Sequence, residues 1–200
     1  MRLRRFAAVM TILGALGAVP AAAQPAFQGF YLGGYGAYSL YDADVTITGL
    51  GSADFDADGF GFGGFFGFGL RNQALYGGLE AEFGHDGAEE GSLFGTTVSL
   101  EARLSYGIAF RAGWVIEERY LPYLRIGWQR TDFEASAPGV GSQSEDLNAL
   151  RVGVGLEALV TDRFSVRGEY AYTAYEDFEE SIITVKPGQH LFRIAAAFHF

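Results

Sequence analysis

Glu80, Glu82, Glu101, Arg103, Arg111, Arg125, Arg151, Glu157, Arg167, Glu169 and Arg193 each sit between apolar neighbours at alternate positions of the chain. Carboxylates and guanidiniums in near balance, removed from water by such a pattern, must pair with one another. Two functions follow from that chemistry. The set is a static network that fills and stiffens a narrow interior, or it is a polar path that opens when the pairs exchange partners. Which Arg meets which Glu depends on strand register, which spacing alone does not reveal.

Other chemistry has less support. A nucleophilic site needs a Ser, a His and an orienting group in contact, and the only histidines are His85, His190 and His199. No catalytic residues are assigned. "GFGFGG" (Gly59 to Gly64) satisfies G-x-G-x-x-G, but no helix pattern follows it. "DFDADG" (Asp54 to Gly59) opens like a calcium loop, yet Phe65 stands where the twelfth-position Glu is required. Acids such as Asp54, Asp56, Asp58, Glu89, Glu90, Glu179 and Glu180 read as solvated loops that hold divalent cations weakly at most. No cofactor or metal site is expected.

Residues 1–23 read as a signal peptide: basic "MRLRR", apolar "FAAVMTILGALGAV" and a small-residue "AAA" before Gln24. Residues 24–200 then form one domain. Removing Arg2, Arg4 and Arg5 takes the formal net charge from −10 to about −13, which excludes nucleic acid as a partner. Lys186 is the only lysine left beside ten arginines, an odd choice for a water-facing skin. There is no cysteine, so neither a lipoprotein anchor nor a disulfide framework is available.

The elements that must position these charges are strands. Beyond the signal no run of 18 apolar residues exists, and the periodicity is close to two in eight segments. From Val98 to Ile116 one face reads Val98, Leu100, Ala102, Leu104, Tyr106, Ile108, Phe110, Ala112, Trp114, Ile116; the other carries Glu101, Arg103, Ser105 and Arg111. No helix produces that pattern. "GFGFGGFFGFGL" (Gly59 to Leu70) opposes Phe60, Phe62, Phe66 and Phe68 to glycines, an aggregation hazard in water. Short turns at Arg71–Gln73, Glu117–Arg119 and Thr161–Arg163 alternate with longer polar loops near 41–58, 85–97, 133–147 and 176–188. The pattern predicts an eight-stranded, antiparallel, up-and-down transmembrane β-barrel with both termini on the short-turn, periplasmic side.

Alternation does not say which face is outside, and a soluble lipocalin-like barrel is the competing fold. Three features oppose it. Phe30, Tyr38, Tyr106, Trp114, Tyr120, Trp128, Phe164 and Phe200 gather towards segment ends, as interfacial girdles do. The polar face is mostly Gly with Arg and Glu, a poor solvent skin. Eight strands also enclose room for side chains only, so the large apolar face has no cavity to line.

"GFYLGGYGAYS", "YGGLEAEFG", "LPYLRIGW" and "LRVGVGLEALVTDRFSVRGEYAYT" resemble strands of the small eight-stranded outer-membrane barrels of Gram-negative bacteria, the OmpA-type, OmpX-type and opacity-like "porin family" group. The resemblance implies the outer membrane as location, and lipid, lipopolysaccharide, the barrel-assembly machinery and periplasmic chaperones as partners of a monomer. It implies that Phe192, Ile194, Ala196, Phe198 and Phe200 form the assembly signal. The H-x-S spacing of the lipid A deacylase barrels is missing, so no enzyme is expected. The peptidoglycan-binding domain of full-length OmpA-type proteins is also missing, so wall anchoring is not implied. The expected role is a non-catalytic envelope barrel presenting acidic outer loops; a narrow gated pore and a surface adhesin are the alternatives.

Overall fold

The computed structural model describes residues 25–47, 51–85, 87–93, 96–137, 141–175, 178–180 and 183–200, with side chains at 43–57, 86–103, 133–145 and 176–187 set aside. The signal-peptide residues 1–23, and the side chains of Glu101, Arg103 and all the loop acids named above except Asp58, therefore lie outside what is described.

Every regular element among these residues is a strand: β1 (Gly29–Ile47), β2 (Gly51–Asn72), β3 (Leu75–His85), β4 (Gly87–Leu93), β5 (Thr96–Trp114), β6 (Tyr120–Ala137), β7 (Gly141–Leu159), β8 (Phe164–Tyr175), β9 (Phe178–Glu180) and β10 (Ile183–His199). Strand β4 continues the line of β3 along β5, and β9 continues the line of β8 along β10. Eight staves result, all antiparallel to their neighbours. Pairing of β1 with β10, from Tyr31↔His199 to Ile47↔Ile183, closes the barrel. Closure leaves no edge, which is what lets so apolar a sheet exist without aggregating.

The faces settle the choice between the two barrels. Phe60, Ile108, Leu124, Ile126 and Ile194 are 78, 64, 67, 50 and 76% exposed on the outer wall, while Glu80, Arg111, Arg125, Arg151 and Glu157 inside are at most 3% exposed. A lipocalin-like barrel has the reverse arrangement, so that alternative is overturned. Of the expected girdle, Phe30, Phe60, Phe62, Phe66, Phe68, Tyr106, Trp114, Tyr120, Trp128 and Phe164 are exposed on the outside and Tyr38 is half-buried there. Trp114, Tyr120 and Phe164 mark the short-turn end; Tyr106 and Trp128, with ring centroids 6.3 Å apart, lie nearer the other end.

Two sequence expectations need correction. The four long loops are mostly paired ladder: register runs to Ile47↔Gly51, Leu93↔Thr96, Ala137↔Gly141 and Ile183↔Glu180. Apolar alternation marks where the apolar wall stops, but backbone pairing continues beyond it. The first short turn is Gln73–Ala74, because the ladder includes Arg71 and Asn72 and Gln73 takes the φ of 55° that reverses the chain.

Candidate functional site

The lumen is layered. At the short-turn end Phe27, Tyr76, Val115, Leu121 and Tyr123 form an apolar cluster with Ala26 and Leu159 packed against it. Phe27 precedes β1, and a φ of 65° folds it under the barrel, where it is 3% exposed and edge-on to His199 at 5.9 Å. Beyond this cap lie Glu80, Glu82, Glu157, Glu169, Arg111, Arg125, Arg151, Arg167 and Arg193. A neutral layer containing Ser39, Ser105, Gln129, Thr131, Thr173 and Gln189 follows towards the hairpins.

Each charge projects from an inward position of its strand, and the ladder brings distant segments together. Next to the cap, Arg111 Nη2 donates to Glu157 Oε2 at 2.6 Å, and Arg167 bridges Glu80 Oε2 (2.8 Å) and Glu157 Oε2 (3.5 Å). Deeper in, Glu82 Oε2 accepts from Arg125 Nη2 at 2.6 Å and from Arg193 Nη1 at 2.9 Å. Glu169 takes Arg125 Nη1 at 3.0 Å on one oxygen and the Tyr123 hydroxyl at 2.8 Å on the other. Glu80 joins the two halves, 3.6 Å from Arg111 and 3.8 Å from Arg125. Arg151 is held differently. It donates to Thr173 Oγ1 (2.8 Å) and Gln189 Oε1 (3.1 Å), and its nearest carboxylate is Glu82 at 3.6 Å.

The guanidinium faces are covered by rings. Arg111 lies 3.9 Å from the Tyr123 centroid, Arg167 4.2 Å from Phe65 and Arg193 4.0 Å from Tyr35. Such stacking suits the weakly hydrated, planar guanidinium and not an ammonium, which accounts for the scarcity of lysine. Glycine supplies the space: a Cβ at Gly67 would fall 2.2 Å from Tyr31 Cζ, and one at Gly155 2.4 Å from Tyr123 Cζ.

The sequence pattern places Glu80, Glu82, Arg111, Arg125, Arg151, Glu157, Arg167, Glu169 and Arg193 on the inner face, and the structure brings them into one network. Sequence reasoning assigned Phe65 to neither face: it is fully buried, and the adjacent pair Phe65–Phe66 on opposite faces is the available signal. It also missed His199 meeting Ser165. Ser165 Oγ lies 3.0 Å from His199 Nε2 and donates to Glu157 Oε1 at 2.6 Å, while Nε2 itself is 3.4 Å from that same oxygen. The two residues meet across the ladder between β8 and β10, where Ser165 pairs with Ala197, so the register of that pair and not the spacing of 34 residues brings them together. A catalytic relay needs the acid on the other ring nitrogen, Nδ1, and here Nδ1 has no hydrogen-bond partner.

At the short-turn rim, Arg71 clamps Glu118 with both Nη atoms, which holds the Glu118 carboxyl below its ordinary value. On the hairpin side, Arg130 pairs with Asp146 at 2.6 Å.

Comparison with known proteins agrees with this architecture. A "22 kDa outer membrane protein" of Rhizobium leguminosarum bv. viciae is 30% identical over 157 residues, 75% of this chain; the chain spans 65% of that relative's length. Neisserial surface protein A superposes with a TM-score of 0.51 at 19% identity, covering 86% of this chain and 98% of that one. The outer membrane protease OmpT from Escherichia coli does so with 0.52 at 8% identity, covering 87% and 97%. At such identities the likeness is one of fold. The family model for the outer membrane protein beta-barrel domain matches residues 9–200, and the chain belongs to that family of the Gram-negative outer membrane.

Proposed function

We infer that the protein is a non-catalytic structural barrel of the outer membrane whose lumen is sealed by its own charges. The observation that carries this reading is the network itself: four Glu and five Arg, none more than 8% exposed, tied across the barrel and capped by Phe27 and its apolar neighbours. Eight strands enclose only enough space for side chains. A lumen filled with paired charges resists both solute passage and collapse. The arrangement around Ser165, buried and hydrogen-bonded to Glu157, supports the non-catalytic part of the reading.

A narrow pore is the second reading, favoured by one detail: among the described residues Arg151 has the loosest carboxylate contact, in a network with one more Arg than Glu. Single-channel recording of refolded protein in a planar bilayer decides between them. A silent bilayer with insertion demonstrated is the expected result. Steady discrete openings that change with Glu82→Gln or Arg125→Met would make the network a gate and overturn the sealed reading.

A further inference from the structure

The outer wall carries two glycines that the fold does not need. A Cβ at Gly36 or at Gly168 would meet nothing within 4 Å. Inward glycines such as Gly67 are forced by the rings beside them, but these two face outwards, where a β-branched or aromatic side chain would strengthen the strand. Leaving such positions bare costs stability; a strand glycine marks a bulge, a tight bend or close approach by something else, and the register runs through Gly36 and Gly168 without a bulge.

The two glycines share one row. Ile194 on β10 pairs with Gly36 on β1 and with Gly168 on β8. One row towards the hairpins, Tyr38 packs on Phe60 (4.9 Å) and Tyr170 on Phe192 (5.2 Å). Between these two aromatic pairs and the glycine row runs a groove of about 640 Å³, within the roughly 300–1,000 Å³ of small-molecule sites. Its walls are mostly apolar, and it crosses β2, β1, β10 and β8.

We propose that this groove seats one fatty acyl chain of an outer-leaflet lipid. The wall around it is the lipid-facing surface of an outer-membrane barrel, so hydrocarbon is already the medium on every side. Polarity fixes the leaflet. On the hairpin side the wall turns polar: the Tyr170 hydroxyl meets His190 Nδ1 at 2.7 Å, His190 Nε2 lies 3.6 Å from Asp42, and Tyr38 donates to Asp58 at 2.8 Å. Long hairpins face outwards and short turns face the periplasm in such barrels. A chain lying in the groove therefore has its headgroup at that polar band, in the outer leaflet. The aromatic pairs hold the chain against the glycine floor, and Ile194 projects between Gly36 and Gly168 as its ridge.

The test is native mass spectrometry of the folded protein, titrated in detergent with hexa-acylated lipid A. Gly36→Leu and Gly168→Leu fill the groove without an internal clash, and a heat-dependent gel shift checks that each still folds. Ala112→Leu places the same side chain on the far wall, on β5. The expected result is one lipid retained by the wild type and by Ala112→Leu, with at least tenfold lower retention in both glycine variants. Equal retention in the glycine variants overturns the proposal. So does a dimer mass that these variants abolish, which would make the groove a contact between two copies. Neither result bears on conductance, so the sealed-lumen reading stands or falls separately.

Discussion

Glu82→Gln is the sharpest perturbation of the lumen, because it keeps the shape of the side chain and removes only its charge. Glu82 faces Arg125 at 2.6 Å, Arg193 at 2.9 Å and Arg151 at 3.6 Å. Arg125 keeps Glu169 at 3.0 Å, and Arg151 keeps Thr173 and Gln189. Among the described carboxylates Arg193 keeps only Glu169, at 3.7 Å, so most of the loss falls on it. Leaving a buried charge without its partner costs about 3–5 kcal/mol, and that is the expected drop in unfolding free energy. Urea unfolding in phospholipid vesicles, read by tryptophan fluorescence and by gel shift, measures it. Arg193→Met alone should cost a similar amount. The double variant should fall short of the sum by about 1–3 kcal/mol, since the second change removes the charge that the first one stranded. Strict additivity, or a Glu82→Gln loss below about 1 kcal/mol, would refute the claim that this pairing holds the lumen together.

Gly67→Ala should destabilise the barrel by about 1–3 kcal/mol through overpacking against Tyr31; Tyr31→Leu, introduced second, should recover part of the loss in the same urea assay. Phe27→Ala should cost about 3–5 kcal/mol as a buried aromatic truncation and should speed hydrogen exchange of backbone amides beside the cap, such as Val115 and Leu121. The pH dependence of the Arg71–Glu118 clamp has a definite sign. Because the folded carboxyl is held down by the hydrogen bond from Arg71, its stabilisation is complete above the unfolded value of about 4.3 and disappears as pH falls through the lowered folded value. Wild type should exceed Glu118→Gln in urea midpoint at pH 7, and the two curves should merge in acid.

What could be read from the sequence was whatever the period-two pattern encodes. The ten-position alternation from Val98 to Ile116 assigns a face to every residue in it, and the structure keeps each described residue on that face. Glu80 and Glu82 were legible for the same reason. The ends of strands were not legible, because pairing from Tyr41↔Ala57 to Ile47↔Gly51 rests on backbone hydrogen bonds that polar and apolar residues form equally well. Partner choice within the lumen was also hidden. Arg167 reaches Glu80 across 87 residues, a meeting set by closure between β1 and β10 and not by any local spacing.

The choice of residues inside the barrel follows from one constraint. Backbone pairing fixes the wall, so the lumen can be filled only by side chains of unequal size on a tube of nearly constant width. Glycine on β2 makes that possible: Tyr31 enters above Gly67 because no Cβ opposes it, and Arg111 and Arg167 then lie 6.0 and 5.6 Å from its ring. A lysine at either place would bring a strongly hydrated ammonium with a single point of attachment. Arginine brings a flat face for the ring and several donors for Glu80 and Glu157 at once, so one residue satisfies packing and pairing together. The same alternation that sends these groups inwards sends Phe66 and Phe68 outwards into lipid. A one-residue slip in β2 would therefore bury four phenylalanines and strand the glycine face in hydrocarbon. The lumen network and the lipid face thus enforce a single register, and neither surface can change alone.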